Sequence, residues 1–259
     1  MAENAMELNF KQKGDGQPII LMHGMFGSLS NLGVVSRHFA NEYHTISVDL
    51  RNHGDSPHTP NMSYPEMAND VLALMDKIGI KQAHLLGHSM GGKVAMQLAL
   101  THPSRADKVV VADISPVQYG ARHDDVLAGL TALNEQDIQS RNHARDILEK
   151  YVSEAGVSSF LLKNVHRRED GTFGLKINLN AILDNYFDSL TLAPKGESYE
   201  GQVLFVKGQN SPYIEESHRP EILRLFPKAE LKIIHNTGHW LHAERPDTFN
   251  RVVESFLSK

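Results

Sequence analysis

The chain contains no cysteine among its 259 residues. This absence excludes disulfides, thiolate metal sites and a cysteine nucleophile, and it fits a reducing compartment. No apolar run approaches the roughly 18 residues that a membrane-spanning helix needs. The stretch Met1 to Phe10 carries acidic and polar residues where a signal peptide has a basic start followed by apolar residues. We therefore expect a cytoplasmic protein with no segment inserted in a membrane.

The chain also lacks an excess of positive charge. Its 26 Lys and Arg residues against 31 Asp and Glu residues give a formal net charge of −5, and the basic residues are dispersed. Such a charge offers no attraction to phosphate backbones, so we expect no nucleic-acid partner. A chain of this length can bury one substantial core. Its composition does not exclude a homo-oligomer.

Short apolar runs alternate with helical patterns in the first half of the chain. The strand-like runs are 18–22, 45–48, 83–86 and 108–112, and apolar residues recur with helical spacing over 64–78 and 90–100. Strands that alternate with helices predict right-handed crossovers. The expected fold class is α/β, with a mainly parallel sheet whose strands are covered by helices on both faces.

The pattern changes between residues 121 and 195, where strand signals thin out and amphipathic helical stripes follow one another. The stripes are Val126, Leu127, Leu130 and Leu133; Ile147, Leu148 and Tyr151; and Leu179, Ile182, Leu183, Tyr186 and Phe187. Strand signals return at 203–206 and 231–234, with helix candidates at 215–225 and 247–257. We predict a core formed by residues 1–120 and 196–259, with a helical cap inserted at 121–195.

The pentapeptide GHSMG, Gly87 to Gly91, joins a predicted strand to a predicted helix. A serine at the centre of such a sharp turn has a strained backbone and needs neighbours without bulk, which the two glycines supply. The turn would hold the hydroxyl of Ser89 outward, beside the N–H of the following residue. Ser89 is the predicted nucleophile for attack on a carbonyl carbon, the alternative being that the glycines only form a tight turn.

A serine nucleophile needs a base, and His239 has the expected position among the 15 histidines. It follows the last predicted strand, so it should emerge at the carboxyl edge of the sheet near Ser89. His235 and His242 flank it with a spacing that would also suit a metal site. We disfavour a metal because the spacing crosses a strand end and a loop and no carboxylates converge there, and we predict no cofactor.

The carboxylate partner of His239 is open to two interpretations. The loop after the penultimate predicted strand has Asn210 where an aspartate would be expected, and asparagine cannot carry the charge. The preceding strand ends in Asp113, also at the carboxyl edge, and we assign the acid to this residue. The alternative is that Asp113 only caps a turn and that Asn210 orients His239 in a weaker dyad. Glu244 is interpreted as a surface residue.

Two backbone N–H groups should bind the oxygen anion of the intermediate. Met90, next to the nucleophile, supplies one, and Met25, in the loop after an early strand, is the best candidate for the second, with Phe26 next. His23 in the same loop is expected to hold it by hydrogen bonds. Phe26 and Trp240, together with Met25 and Met90, are expected to line an apolar acyl pocket, although each could simply belong to the core.

These motifs together resemble the α/β-hydrolase superfamily over nearly the whole chain. They are, in order, HGMFGS, VDLRNHGDSP, GHSMGGK, VADISP, GQNSPY and NTGHWLHAERP. Within the superfamily the chain is similar to the YbfF-type bacterial esterases and the related mitochondrial abhydrolases. The resemblance implies ester hydrolysis with some activity on acyl-CoA thioesters, a helical cap after the ADISP strand and an acid at Asp113. The GQNSP loop departs from the GGNSP of many relatives at one turn residue.

The function expected from these residues is that of a serine carboxylesterase acting on short to medium acyl chains. An acyl-CoA thioesterase is the rival and would need cations near the mouth of the site, for which Arg122, Arg167 and Arg168 are candidates. A carbon–carbon bond hydrolase, a cofactor-free lyase and a non-catalytic binding protein keep the same fold and stay as alternatives. Outside the triad, Arg51 could bind an anionic substrate, and Lys93 is expected on the surface.

Overall fold

The computed structural model describes residues 5–259, and the part of the signal-peptide argument that concerns residues 1–4 lies outside it. Within that range, seven strands form one sheet and two form a separate hairpin. The strands are β1 (Phe10–Lys13), β2 (Gln17–Met22), β3 (Tyr43–Val48), β4 (Ala83–His88), β5 (Ala106–Ala112), β6 (Val165–Arg167), β7 (Phe173–Leu175), β8 (Gln202–Gly208) and β9 (Ala229–Ile234). The six strands predicted from apolar runs are all present.

The large sheet is parallel except at one edge. Its order is β1-β3-β2-β4-β5-β8-β9, and only β1 runs antiparallel to its neighbour. Because β3 and β4 lie on opposite sides of β2, the direction of winding reverses there. In sheets of this kind the crevice outside the carboxyl ends of the strands at such a reversal is where ligands bind. The loops that follow β2 and β4 meet at this crevice.

Helices connect the strands. They are α1 (Gly33–Phe39), α2 (Tyr64–Lys77), α3 (Met90–Thr101), α4 (Asp124–Glu135), α5 (Arg141–Leu148), α6 (Ala155–Leu161), α7 (Leu179–Asn185), α8 (Arg219–Leu225), α9 (Leu241–Glu244) and α10 (Pro246–Leu257). A π-helical turn, Tyr186–Leu190, continues α7. Over residues 5–259 no helix is both long and apolar enough to cross a bilayer.

Alternation along the strands creates a core on each face of the sheet. In β2, Ile20 and Met22 pack into the larger core with residues of α2 and α3. Ile19 and Leu21 pack into a smaller core with residues of α1 and α10. Side chains that follow one another in a strand point to opposite faces, so both faces of the central strands are buried. The prediction of a mainly parallel sheet with helices on both faces is confirmed.

Unlike the central strands, β9 is covered only in part. This strand lies at the edge of the sheet. Leu231 is 51% exposed and Ile233 is 47% exposed. An apolar run predicts a strand, but only the order of strands in the sheet decides which one is left at the edge.

The segment between β5 and β8 contributes no strand to the large sheet. It contains α4 to α7 and the β6-β7 hairpin, all within the bounds 121 to 195, and its role as a cap stays a prediction. It contacts the rest of the chain through polar groups: the side-chain amide of Asn164 donates to the carbonyl of Phe26 (2.8 Å). The backbone N–H of Asn178 donates to the carbonyl of Asn52 (2.9 Å). The inserted segment is therefore joined directly to the loops after β2 and β3.

The prediction that Lys93 lies on the surface is wrong, because this residue is buried. It lies on α3, one turn after Ser89, and its ammonium donates to the carbonyls of Val117 (2.9 Å), Thr191 (3.4 Å) and Leu192. These carbonyls lie where the chain enters and leaves the inserted segment. One side chain therefore joins both ends of that segment to α3. Burial lowers the pKa of Lys93 to about 7.

This low pKa predicts a pH dependence of stability. Between the folded pKa of about 7 and the ordinary value of 10.5, the unfolded chain binds more protons than the folded chain, so stability rises with pH in that window. The unfolding free energy of the wild type should rise relative to that of Lys93→Met, by up to about 1.4 kcal/mol per pH unit. Urea unfolding across the window measures it, with Lys81→Met as the exposed-lysine control. A constant difference would contradict the prediction.

Candidate active site

Ser89 lies at the turn between β4 and α3 in a backbone conformation that residues with side chains rarely adopt. Its φ is 53° and its ψ is −118°. A Cβ built on Gly87 would lie 2.1 Å from the carbonyl oxygen of Gly91, and one built on Gly91 would lie 2.2 Å from that of Met22. Both glycines are therefore required by the close approach of backbone segments. The turn leaves Ser89 half-buried, at the wall of a cavity.

Asp113 directly follows β5 and is fully buried. One carboxylate oxygen, Oδ1, accepts the backbone N–H of Gly208 (2.9 Å). The other, Oδ2, accepts Nδ1–H of His239 (2.8 Å) and the hydroxyl of Ser211. A buried carboxylate is costly unless donors surround it; these three donors come from the last residue of β8 and from the loops that follow β8 and β9. Asp113 thereby binds both loops to the end of β5.

The contact with Asp113 fixes the tautomer of His239. A carboxylate accepts hydrogen bonds, so Nδ1 carries the proton and Nε2 of the neutral ring is left as an acceptor. His239 and Ser89 line the same cavity. Among residues 5–259 the Oγ of Ser89 makes no hydrogen bond with His239, so the two groups share the cavity without a direct bond.

Asn210, the alternative partner for His239, lies elsewhere in the loop. It is exposed, and its backbone N–H donates to the carbonyl of Thr237 (2.9 Å). Over the described chain, its side chain makes no hydrogen bond to His239. The structure thus brings Asp113, and not Asn210, into contact with the imidazole.

The loop after β2 places two candidate N–H donors near Ser89, and one of them is already used. The N–H of Phe26 donates to Nε2 of His53 (3.1 Å), whose Nδ1 donates to the carbonyl of Arg51 (3.0 Å). Burial lowers the pKa of His53 to about 3, which keeps its ring neutral and Nε2 able to accept. The N–H groups of Met25 and Met90 have no acceptor in the part of the chain that the structure describes. These two are free to bind an anionic oxygen.

His23 holds the same loop, as predicted. Its Nδ1 donates to the carbonyl of Gly24 (2.7 Å), and its Nε2 accepts the N–H of Leu50 (3.1 Å). Both ring nitrogens are therefore occupied by backbone groups. Arg51 is also structural, because its buried guanidinium pairs with Asp70 (2.7 Å) and does not line the cavity.

His88, which the sequence did not mark, packs beside His239. Its Nε2 donates to the backbone carbonyl of His239 (2.8 Å), and the ring centroids are 4.7 Å apart. Burial holds the pKa of His88 well below its usual value, and burial lowers that of the adjoining His242 to about 3. Both rings are neutral at pH 7, so neither places a competing positive charge beside His239.

The cavity above Ser89 has a volume of about 670 Å³ and is lined from both the core and the inserted segment. Its apolar walls include Met25, Phe26, Val126, Val152, Val157, Phe160, Leu161 and Trp240. Its charged lining residues are Arg122, Asp124, Asp125, Glu154 and Glu244. Met90 lines a smaller cavity of about 40 Å³ that also reaches Ser89. Phe26 and Trp240 thus line the cavity that contains Ser89 and His239, whereas Met90 lines only the smaller one.

The match to known proteins agrees with this geometry. The family described as alpha/beta hydrolase fold matches residues 17–246. The chain belongs to the α/β-hydrolase family. It is 40% identical to Esterase YbfF of Escherichia coli (strain K12) over 259 residues, which cover 98% of this chain and 100% of that protein. It is 38% identical to the sn-1-specific diacylglycerol lipase ABHD11 of Mus musculus over 248 residues, 93% of this chain and 80% of that one.

A solved structure gives the same result for the fold. The protein described as a marine microorganism esterase superposes with a TM-score of 0.94 at 34% identity, covering 97% of this chain and 100% of that chain. The predicted family and the predicted α/β-hydrolase fold are therefore confirmed.

Within this α/β-hydrolase the structure adds residues that sequence reasoning missed. Ser211 and Gly208 complete the donors around Asp113, and Tyr213 stacks on His239 with ring centroids 4.2 Å apart. Ser211 directly follows Asn210 in the GQNSP motif, so its position was a usable signal. Tyr213 ends the GQNSPY motif, but the motif does not reveal its contact with His239, because that contact depends on how the loop folds back.

The turn Gly87–Gly91 around Ser89, called the elbow from here on, predicts a large difference in stability between two Gly→Ala variants. Gly91→Ala introduces a Cβ against the carbonyl of Met22 and should destabilise the protein by about 3 kcal/mol or more, with loss of activity. Gly156→Ala, on α6, meets nothing within 4 Å and should be neutral or slightly stabilising. Thermal unfolding of both variants measures this, and equal stability of the two would contradict the account of the elbow.

Proposed function

We propose that this chain is a carboxylesterase that hydrolyses esters of short to medium acyl chains through an acyl-enzyme intermediate. Ser89 is the nucleophile, His239 the general base and acid, and Asp113 the carboxylate that orients His239. The N–H groups of Met25 and Met90 form the oxyanion hole. The observation that carries the proposal is the Asp113–His239 hydrogen bond at the cavity that contains Ser89. Relatives named esterase, in a hydrolase family, support a serine-esterase type of enzyme.

The first half of the reaction begins at Nε2 of His239. With the Ser89 side chain turned toward His239, Nε2 accepts the proton of Oγ as Oγ attacks the ester carbonyl carbon. The imidazolium that forms is stabilised by Asp113, which stays ionised. His239 then donates the proton to the leaving alcohol, and the acyl group remains on Ser89.

The negative oxygen of the tetrahedral intermediate is bound by two N–H groups. Met90 is the first residue of α3, where N–H groups lack partners within the helix and the helix dipole favours negative charge. Met25 supplies the second N–H, since that of Phe26 is bonded to His53. A water molecule, deprotonated by His239, then attacks the acyl carbonyl in the same oxyanion hole, and His239 returns the proton to Oγ of Ser89 as the acid is released.

The cavity supports a preference for modest acyl chains. Its volume of about 670 Å³ is within the range of small-molecule sites, and its apolar walls come from both the core and the inserted segment. Phe160 and Trp240, with ring centroids 5.8 Å apart, form part of those walls. Phe26 and Trp240 are the proposed substrate-binding residues, because they line this cavity beside the catalytic groups.

The charges around the cavity favour an ester over the rival acyl-CoA thioester. Of the three candidate arginines only Arg122 lines the cavity, whereas Arg167 and Arg168 do not. The other charged lining residues are acidic: Asp124, Asp125, Glu154 and Glu244. Phosphate groups at the mouth would meet this negative charge, so a thioester of coenzyme A is the less favoured substrate. A cytoplasmic location and the lack of a nucleic-acid partner remain predictions from composition.

Three substitutions test the proposed catalytic residues. Ser89→Ala should lower kcat on a p-nitrophenyl ester on the order of 10⁵- to 10⁶-fold. Asp113→Asn should lower it about 10³- to 10⁴-fold, because the amide no longer holds the required tautomer of His239. Asn210→Ala is the matched control and should stay within about threefold of the wild type. An unimpaired Asp113→Asn enzyme, or a defective Asn210→Ala enzyme, would overturn the assignment of the acid.

A substrate series tests the predicted substrate class. Initial rates on p-nitrophenyl esters should peak at or below about ten acyl carbons, given the size of the cavity. Acyl-CoA thioesters should be cleaved more slowly than esters of the same acyl chain.

The same series includes a charge control. The double variant Asp124→Asn/Asp125→Asn should raise kcat/KM for an acyl-CoA several-fold at low ionic strength, because it removes two negative charges that repel the phosphate groups. It should leave kcat/KM for a neutral ester unaffected, because a neutral substrate is not repelled. Rates that rise steadily with longer acyl chains, or that are higher on thioesters, would contradict the proposal.

A further inference from the structure

Tyr213 contacts His239 more closely than any other aromatic ring does. It lies in the loop after β8, two residues beyond Ser211, and its ring stacks on the imidazole with centroids 4.2 Å apart and an interplanar angle of 28°. Both residues line the large cavity. Tyr213 makes no hydrogen bond to Ser89 or to the candidate oxyanion donors in the described chain. Among the groups proposed to take part in the reaction, Tyr213 is thus in contact with His239.

The hydrogen bond to Asp113 leaves one motion of the imidazole unrestrained. Nδ1 is fixed at 2.8 Å from the carboxylate, but the ring can still swing about that bond, which would carry Nε2 away from Ser89. A flat ring stacked on one face blocks the swing and keeps the imidazole plane in place. The aromatic face also attracts a cation, so the same contact favours the imidazolium that forms when His239 accepts the proton.

Hydrogen bonds hold both the side chain and the backbone of Tyr213. Its hydroxyl lies 3.3 Å from Nε2 of His123, and its carbonyl accepts the hydroxyl of Tyr119. Its backbone N–H donates to Oγ of Ser211 (3.3 Å), the same hydroxyl that donates to Asp113. The ring is thus fixed by groups that also belong to the site.

The contact at the hydroxyl comes from the inserted segment. His123 directly precedes α4, and its Nδ1 lies 2.7 Å from the hydroxyl of Tyr186. Burial lowers the pKa of His123 to about 4, so its ring is neutral and can donate to one phenol while it accepts from the other. The inserted segment therefore reaches the imidazole of His239 through the ring of Tyr213.

We propose that Tyr213 is a positioning residue whose stacked ring holds the imidazole of His239 in the orientation that proton transfer requires. This inference rests on the proposed function, in which His239 is the base. The ring, and not the hydroxyl, is the part that acts on His239.

Steady-state kinetics with matched variants test this role. Tyr213→Leu and Tyr213→Met remove the aromatic ring and should lower kcat about 10- to 100-fold, with KM within about threefold of the wild type, because a misoriented base slows the chemical step. Tyr213→Phe keeps the ring and should retain kcat to within about fivefold. Tyr199→Leu, which removes a buried ring that packs on Phe226, should leave kcat unchanged and controls for a general loss of packing.

Proton NMR of the free enzyme supplies a second readout that does not depend on activity. A ring stacked at 4.2 Å shifts the imidazole protons of His239 upfield by its ring current. The imidazole protons should resonate at similar fields in the wild type and in Tyr213→Phe, and further downfield in the methionine variant, where only the more distant rings of His88 and Trp240 contribute. The methionine variant carries the test if the leucine variant fails to fold.

These experiments distinguish a failure of the positioning role of Tyr213 from a failure of the proposed function. Wild-type kcat in the leucine or methionine variant, or a raised KM with unchanged kcat, would overturn the positioning role while Ser89→Ala remains inactive. If Ser89→Ala kept wild-type activity, the proposed function would fall instead. Imidazole proton shifts that do not change when the aromatic ring of Tyr213 is removed would show that the ring does not stack on His239 in solution and would also overturn the positioning role, whatever the activity of the enzyme.

Discussion

The site depends on three backbone segments that approach too closely to leave room for a Cβ. At the turn after β4, Gly87 faces Gly91, and Gly91 faces the carbonyl of Met22 at the end of β2. This contact presses the start of α3 against β2 and forces a positive φ at Ser89. As a consequence the loop after β2, with Met25, lies beside the hydroxyl. The elbow therefore fixes the nucleophile and both candidate oxyanion donors at once.

A buried carboxylate performs the same organising role on the other side of the cavity. Asp113 must be surrounded by donors, and the donors available come from the end of β8 and from the loops after β8 and β9. Satisfying its charge therefore draws His239 and Ser211 to the end of β5. The neighbouring ring of His88 is neutral, so the carboxylate and His239 interact without a competing cation. The electrostatics of the site follow from burial as much as from the charged groups themselves.

Sequence reasoning predicted the strands and the elbow because both are local patterns. It placed Asp113 beside His239 by recognising that Asn210 cannot carry charge, and the structure brings the two residues together. It missed β1, whose residues Phe10–Lys13 form no apolar run, and α1, which is short and begins at a glycine. Lys93 and Tyr213 were beyond local pattern, because the burial of one and the stacking of the other depend on where distant segments return to the core.

The central claim is that Ser89 carries the acyl group and is activated by His239. Diethyl p-nitrophenyl phosphate tests it directly, since an activated serine displaces p-nitrophenolate and keeps the phosphoryl group as a stable ester. Mass spectrometry of the digested protein should find a single adduct, on Ser89, matched by one equivalent of released p-nitrophenolate. His239→Ala should form the adduct orders of magnitude more slowly. An adduct on another residue, or labelling of Ser89 at the wild-type rate without His239, would contradict the account.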